Sequence, residues 1–134
     1  MNHIFVRPAT PEDASLFLEW QRTNSNFDPE AVLAPDSFTL VAFNKEGIVA
    51  FLPVQSPKVD PFFLESIAFK PGFTEREQAS VMREFVQAAV TLGFLKGTRE
   101  IYFLADTEDT AAFAERHGFE KVPWPVYRLR LTDL

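Results

Sequence analysis

The sequence predicts a single α/β domain over residues 1–134, with a mixed central sheet of about seven strands flanked by about four helices. Three observations predict it. Short runs rich in β-branched and aromatic residues alternate with segments of helical period. The two later helical segments open on threonine or aspartate and close on glycine. Fifteen phenylalanines supply the large aromatic core that packs well against a sheet.

Ile4 to Arg7 is a short β-prone run. Thr10 then offers an N-cap, with Pro11 at the first helical position and Asp13 three residues past the cap, so a helix is expected from Pro11 to about Arg22. Asn24 to Pro29 breaks it, and Pro29 to Leu33 has room for only one or two further turns before Pro35. Phe38 to Phe43 and Ile48 to Val54 read as antiparallel strands joined by a turn at Asn44-Lys45-Glu46-Gly47. After Pro57 and Pro61, Phe62 to Phe69 is expected as one further strand, ended by Pro71-Gly72.

From Thr74 to about Leu92, Met82, Phe85, Val86, Ala89 and Val90 recur at helical spacing, with Arg83, Glu84 and Gln87 opposite. Gly93 and Gly97 are expected to close this helix. Glu100 to Ala105 follows as a strand in parallel crossover. Asp106 or Thr107 caps a shorter helix running to His117, with Gly118 as its left-handed end. Phe119 to Val122 and Val126 to Leu131 are expected as the last two strands, separated by Pro123-Trp124-Pro125.

Composition removes several function classes. A net charge of -6 argues against a general footprint for nucleic acid or anionic membrane. The absence of cysteine excludes thiol nucleophiles, thiolate metal sites and disulfides. The two histidines, His3 and His117, have no carboxylate cluster at ligand spacing, so no metal site is expected. No basic start followed by a long apolar stretch marks the N-terminus, and a cytoplasmic location is expected.

The order of elements resembles the GNAT N-acetyltransferase fold over nearly the whole chain. Val6-Arg7-Pro8-Ala9-Thr10-Pro11-Glu12-Asp13-Ala14 is similar to that family's first strand-to-helix junction, and Glu115-Arg116-His117-Gly118-Phe119-Glu120 to its last helix-to-strand turn. The resemblance implies that Phe62 to Phe69 splays from its neighbour, with Ile67, Ala68 and Phe69 offering backbone groups to the pantetheine arm of acetyl-CoA. It also implies a loop reading Gln/Arg-x-x-Gly-x-Gly/Ala, whose amides approach the pyrophosphate at the start of the long helix. Here the loop reads Thr74-Glu75-Arg76-Glu77-Gln78-Ala79, and of the required positions only Ala79 matches. A carboxylate about 4 Å from a phosphate costs roughly 1 kcal/mol in water-like screening and roughly 4 kcal/mol at an effective dielectric near 20. Thr74 and Glu77 also form a capping-box pattern, so the helix is expected to cap itself.

The family's usual acid is a tyrosine at the position of Ala114, and its neighbouring asparagine is replaced by Thr107. Tyr102 and Tyr127 are candidate substitutes, read first as core aromatics. Some family members place a general base where Glu65 stands. Burial beside Phe63 and Ile67 would raise its pKa, but the expectation is a strand carboxylate facing solvent. His117 is read as structural, favoured by the helix dipole. Trp124, between Pro123 and Pro125, is a candidate partner anchor and, with Phe62 and Phe63, a candidate pocket lining; all three are read first as core. The residues therefore predict a GNAT-fold protein with a degenerate loop, acting as a weak or non-catalytic module for a small molecule or protein. The alternative is an active acetyl-CoA-dependent N-acetyltransferase acting on a primary amine; acetyl-CoA is expected in that case and no cofactor otherwise.

Overall fold

The first β-prone run forms β1 (Phe5–Pro8), which pairs antiparallel with β2 (Ser37–Asn44). The computed structural model describes residues 3–24, 37–56, 60–65, 67–105, 107–123, 127 and 129–133. β2 turns into β3 (Gly47–Gln55) at Asn44, whose side-chain oxygen accepts the Glu46 N–H at 2.8 Å. Such side-chain-to-backbone bonds are what favour Asn in turns. β3 then pairs antiparallel with both β4 (Phe62–Leu64) and β5 (Ala68–Phe69), and β4 pairs parallel with β6 (Ile101–Phe103). Among the described residues the sheet has six strands, ordered β1-β2-β3-β4-β6 with β5 beside β3.

Alternation along the strands divides the core between two faces. Val41, Phe51 and Ala68 lie on one, packed with Phe17 and Trp20 of α1 (Ala14–Asn24); both rings meet Phe51 edge-on, at 5.0 and 5.3 Å between centroids. Leu40, Leu52, Val54, Phe62 and Leu64 are buried on the other face. There α2 (Glu75–Lys96) brings Gly93 against Phe62 and Ile101.

A junction residue fixes how β1 enters α1. Asp13 is buried and holds both Arg7 guanidinium nitrogens, at 2.8 and 3.0 Å, while its Oδ2 also accepts the Thr10 N–H at 2.8 Å. The Arg7 hydrogen bonds hold the Asp13 carboxyl at about 2, well below the usual carboxylate range. The start of this helix is a short 3-10 turn, Pro11–Asp13, rather than the α-helix expected from Pro11.

By contact density the chain divides into two compact units, Met1–Leu104 and Ala105–Leu134. The second holds α3 (Glu108–Arg116), capped by Thr107, whose hydroxyl accepts the Thr110 N–H at 3.1 Å. Gly118 follows with φ 87°.

Four expectations are corrected. The run Phe62 to Phe69 is two strands, because an extra residue interrupts its pairing with β3. Phe119 to Val122 and the described residues 127, 129 and 130 are not strands; alternation alone does not form a strand without a paired edge. Gly93 does not end α2: it is buried inside the helix, where a Cβ would make ordinary contacts with Thr98, Phe62 and Ile101 at 3.5–3.7 Å. Gly97, at φ 81°, is the left-handed end. Val90 is 38% exposed rather than core, whereas Val81 is fully buried. The short helix expected at Pro29 to Leu33, and Trp124, lie outside the described residues.

Candidate functional site

Register locates the site. Between the pairs Val54↔Leu64 and Phe51↔Ala68, β3 advances three residues while its partner advances four. One extra residue is therefore inserted between Leu64 and Ala68, which is a β-bulge. Glu65 stands at its start, its N–H bonded to Pro53 O at 3.0 Å.

The bulge separates a closed half of the sheet from an open one. Among the described residues β6 pairs with β4 from Phe62 to Leu64 and no further, and β5 is paired with β3 alone. Lys70 donates its N–H to Val49 O at 2.8 Å. Antiparallel bonding alternates along the strand, so Phe69, one residue earlier, turns its N–H and C=O away from β3 to the open edge. The other end of the opening is tied shut. Asp60 Oδ1 accepts the N–H groups of Arg99 and Glu100 at 3.0 and 3.1 Å, just before β6 begins.

Glu65 departs from the solvent-facing carboxylate expected of it. It is half-buried, and its Oε2 is buried with no hydrogen-bond partner among the described residues. Burial pushes the Glu65 carboxyl up to about 6, against a hydrogen bond from Gln55 that draws it down. A raised pKa of this origin suits a proton acceptor working near neutrality. Gln55 went unnoticed in the sequence because its contact with Glu65 exists only through the β3 register. Nearby, Phe63 and Tyr102 stack at 5.3 Å between centroids across β4 and β6.

The start of α2 carries the remaining sequence-predicted positions. Thr74 Oγ1 accepts the Glu77 N–H at 3.2 Å, and Glu77 Oε1 accepts the Thr74 N–H at 3.2 Å and its hydroxyl at 2.9 Å. The capping box is thus formed in full. It leaves the N–H groups of Glu75 and Arg76 as the donors the helix does not use itself. Glu75, Arg76, Glu77 and Ala79 are exposed, while Gln78 is half-buried and donates to Phe73 O at 3.2 Å.

The other candidates are placed apart or occupied. Tyr102 donates its hydroxyl to Glu100 at 2.9 Å, which raises the phenol's pKa. Tyr127 is 88% exposed. In the second unit Ala114 is buried on α3, and the His117 ring lies on Phe113, with its Nδ1 2.8 Å from Phe113 O. His117 is structural, as expected. A groove of about 460 Å³ runs between β1 and α2, and none of the predicted site residues lines it. No helix among the described residues is long and apolar enough to cross a membrane.

Comparison with solved structures returns N-acetyltransferases that superimpose over nearly the whole chain. The aminoglycoside acetyltransferase AAC(6')-Iy, in complex with the bisubstrate analog CoA-S-monomethyl-acetylneamine, superimposes with a TM-score of 0.70 at 20% identity, over 96% of this chain and 99% of that one. The ribosomal-protein-S18-alanine N-acetyltransferase from Escherichia coli gives 0.72 at 12% identity, over 90% and 79%. The chain has the GNAT N-acetyltransferase fold. A predicted acetyltransferase with acetyl-CoA from Clostridium acetobutylicum shares this GNAT fold, with a TM-score of 0.71 at 12% identity over 98% and 99%. No protein-family model matches the chain, and no curated protein matches it.

The GNAT fold implies acetyl-CoA, and this chain's residues fit one end of it. The outward N–H and C=O of Phe69 are suited to the amides of a pantetheine arm. The diphosphate end fits poorly: the capping box uses the Glu77 N–H and sets the Glu77 carboxylate at the start of α2.

Proposed function

We propose that the protein is an N-acyltransferase that moves an acyl group from a pantetheine thioester to a primary amine, with Glu65 as general base. The buried, unpartnered Glu65 oxygen at the bulge, beside the open edge of β5, carries this reading. The thioester, as in acetyl-CoA, supplies the activated acyl group. The edge of Phe69 orients the arm, and Glu65 takes a proton from the amine as nitrogen bonds to the acyl carbon and the carbon–sulfur bond breaks. The sulfur leaves as a thiolate and is protonated from solvent. No group in the described cleft is assigned as its acid, since Tyr102 already donates to Glu100.

The test is the pH profile of acetylation of a simple primary amine. The intact protein should show an acidic limb near pH 6, and Glu65→Gln should lower kcat/KM by about a hundredfold and abolish that limb. Full activity in E65Q would remove Glu65 from the chemistry.

A second reading has its own observation. The self-capped start of α2 favours a non-catalytic module that binds a small molecule or protein through the same cleft. It predicts no thermal stabilisation by any pantetheine thioester at millimolar concentration.

A further inference from the structure

We infer that Glu77 selects the acyl donor: the cleft takes a pantetheine thioester by its arm, without a grip on a diphosphate, so donors lacking the nucleotide end serve it as well as acetyl-CoA does. The inference rests on the acyl-transfer reading and narrows it to a donor class.

The two ends of the cleft differ in chemistry. At β5, strand-type hydrogen-bonding groups face outward from Phe69 and match an uncharged amide chain. At α2, part of what draws anions to a helix start is already engaged, and only the Glu75 and Arg76 N–H groups are left over. Free N–H groups and the helix dipole make such a site. Here Thr74 Oγ1 takes the Glu77 N–H, and the Glu77 carboxylate caps Thr74 from the other side. Glu75 and Glu77 place two exposed carboxylates on this first turn against one cation, Arg76. Residues 74–79 contain no glycine, so every position carries a Cβ where a diphosphate would approach the backbone. An uncharged pantetheine arm meets none of these obstacles.

The same arm occurs in free pantetheine thioesters and as phosphopantetheine on a carrier protein. Calorimetry on the full chain would therefore use acetyl-pantetheine, acetyl-CoA and an acetylated carrier protein. The dissociation constants of the first two should agree within about threefold, a difference too small to include a diphosphate contact. Glu77→Gln retains the cap, because Gln makes the same bond, and should shift the ratio toward acetyl-CoA by about tenfold through loss of one charge. A melting curve checks that the variant is folded, and Glu77→Gly provides a second variant that opens the backbone.

Parent protein binding acetyl-CoA about a hundredfold more tightly than acetyl-pantetheine would overturn the inference alone. So would an unchanged ratio in both variants. Failure of every thioester to bind at millimolar concentration would overturn the acyl-transfer reading, and this inference with it. Carrier protein binding tighter than acetyl-pantetheine supports the inference with a carrier as the source of the arm, and equal binding supports it with the free thioester as the source.

Discussion

The junction at Arg7–Asp13 and the cleft between Glu65 and Glu77 both place carboxylates beside backbone N–H groups, but among the described residues only the first pairs its carboxylate with a cation. Asp13 has both nitrogens of Arg7, the Thr10 N–H and the Thr10 hydroxyl, and its pKa falls to about 2. Glu65 has Gln55 and one buried oxygen without a partner, and its pKa rises to about 6. Among the described residues Glu77 is bonded to Thr74 alone, at the surface. A carboxylate whose needs are met on the spot holds the fold together. One left short of partners is where ligand chemistry is to be sought.

The comparison breaks first at Asp13. Asp13→Ala should lower the unfolding free energy by about 2–3 kcal/mol, less than for a wholly buried pair because Arg7 is partly exposed; urea denaturation measures it. Since the folded pKa is depressed from 3.8 to about 2, the stabilisation is complete above about pH 4 and is lost as pH falls toward 2. Glu65 should show the opposite sign. Its folded pKa is raised above 4.5, so stability is greatest where it is protonated and declines as pH rises through about 6. Glu65→Gln should therefore stabilise the protein at pH 7.5 by about 1 kcal/mol, reduced for solvent screening, with the gain vanishing near pH 4 in the same assay. Thr74→Ala removes a cap and should cost about 1 kcal/mol in thermal unfolding. Glu77→Gln should change stability by less than about 0.5 kcal/mol, since the cap survives. A larger loss would place Glu77 with Asp13 among the residues that hold the fold.

What was legible in the sequence was local. The Thr10, Thr74 and Thr107 caps, the Gly97 and Gly118 ends and the β2–β3 hairpin each depend on residues within a few positions of one another, and each is found. The self-capped α2 was legible for the same reason. The open edge of β5 was expected only through family resemblance. The bulge and the burial of Glu65 were hidden, because each is set by another segment, β3. Phe119 to Val122 shows the converse error, in which a β-prone composition was read as pairing.

The inserted residue between Leu64 and Ala68 also reverses the parity of the strand. Before it, odd positions such as Phe63 share the face of Gln55; after it, even-numbered Ala68 packs beneath α1. A related sequence that lacks the inserted residue, laid against this one without a gap at that point, would have its downstream side chains assigned to the wrong side of the sheet.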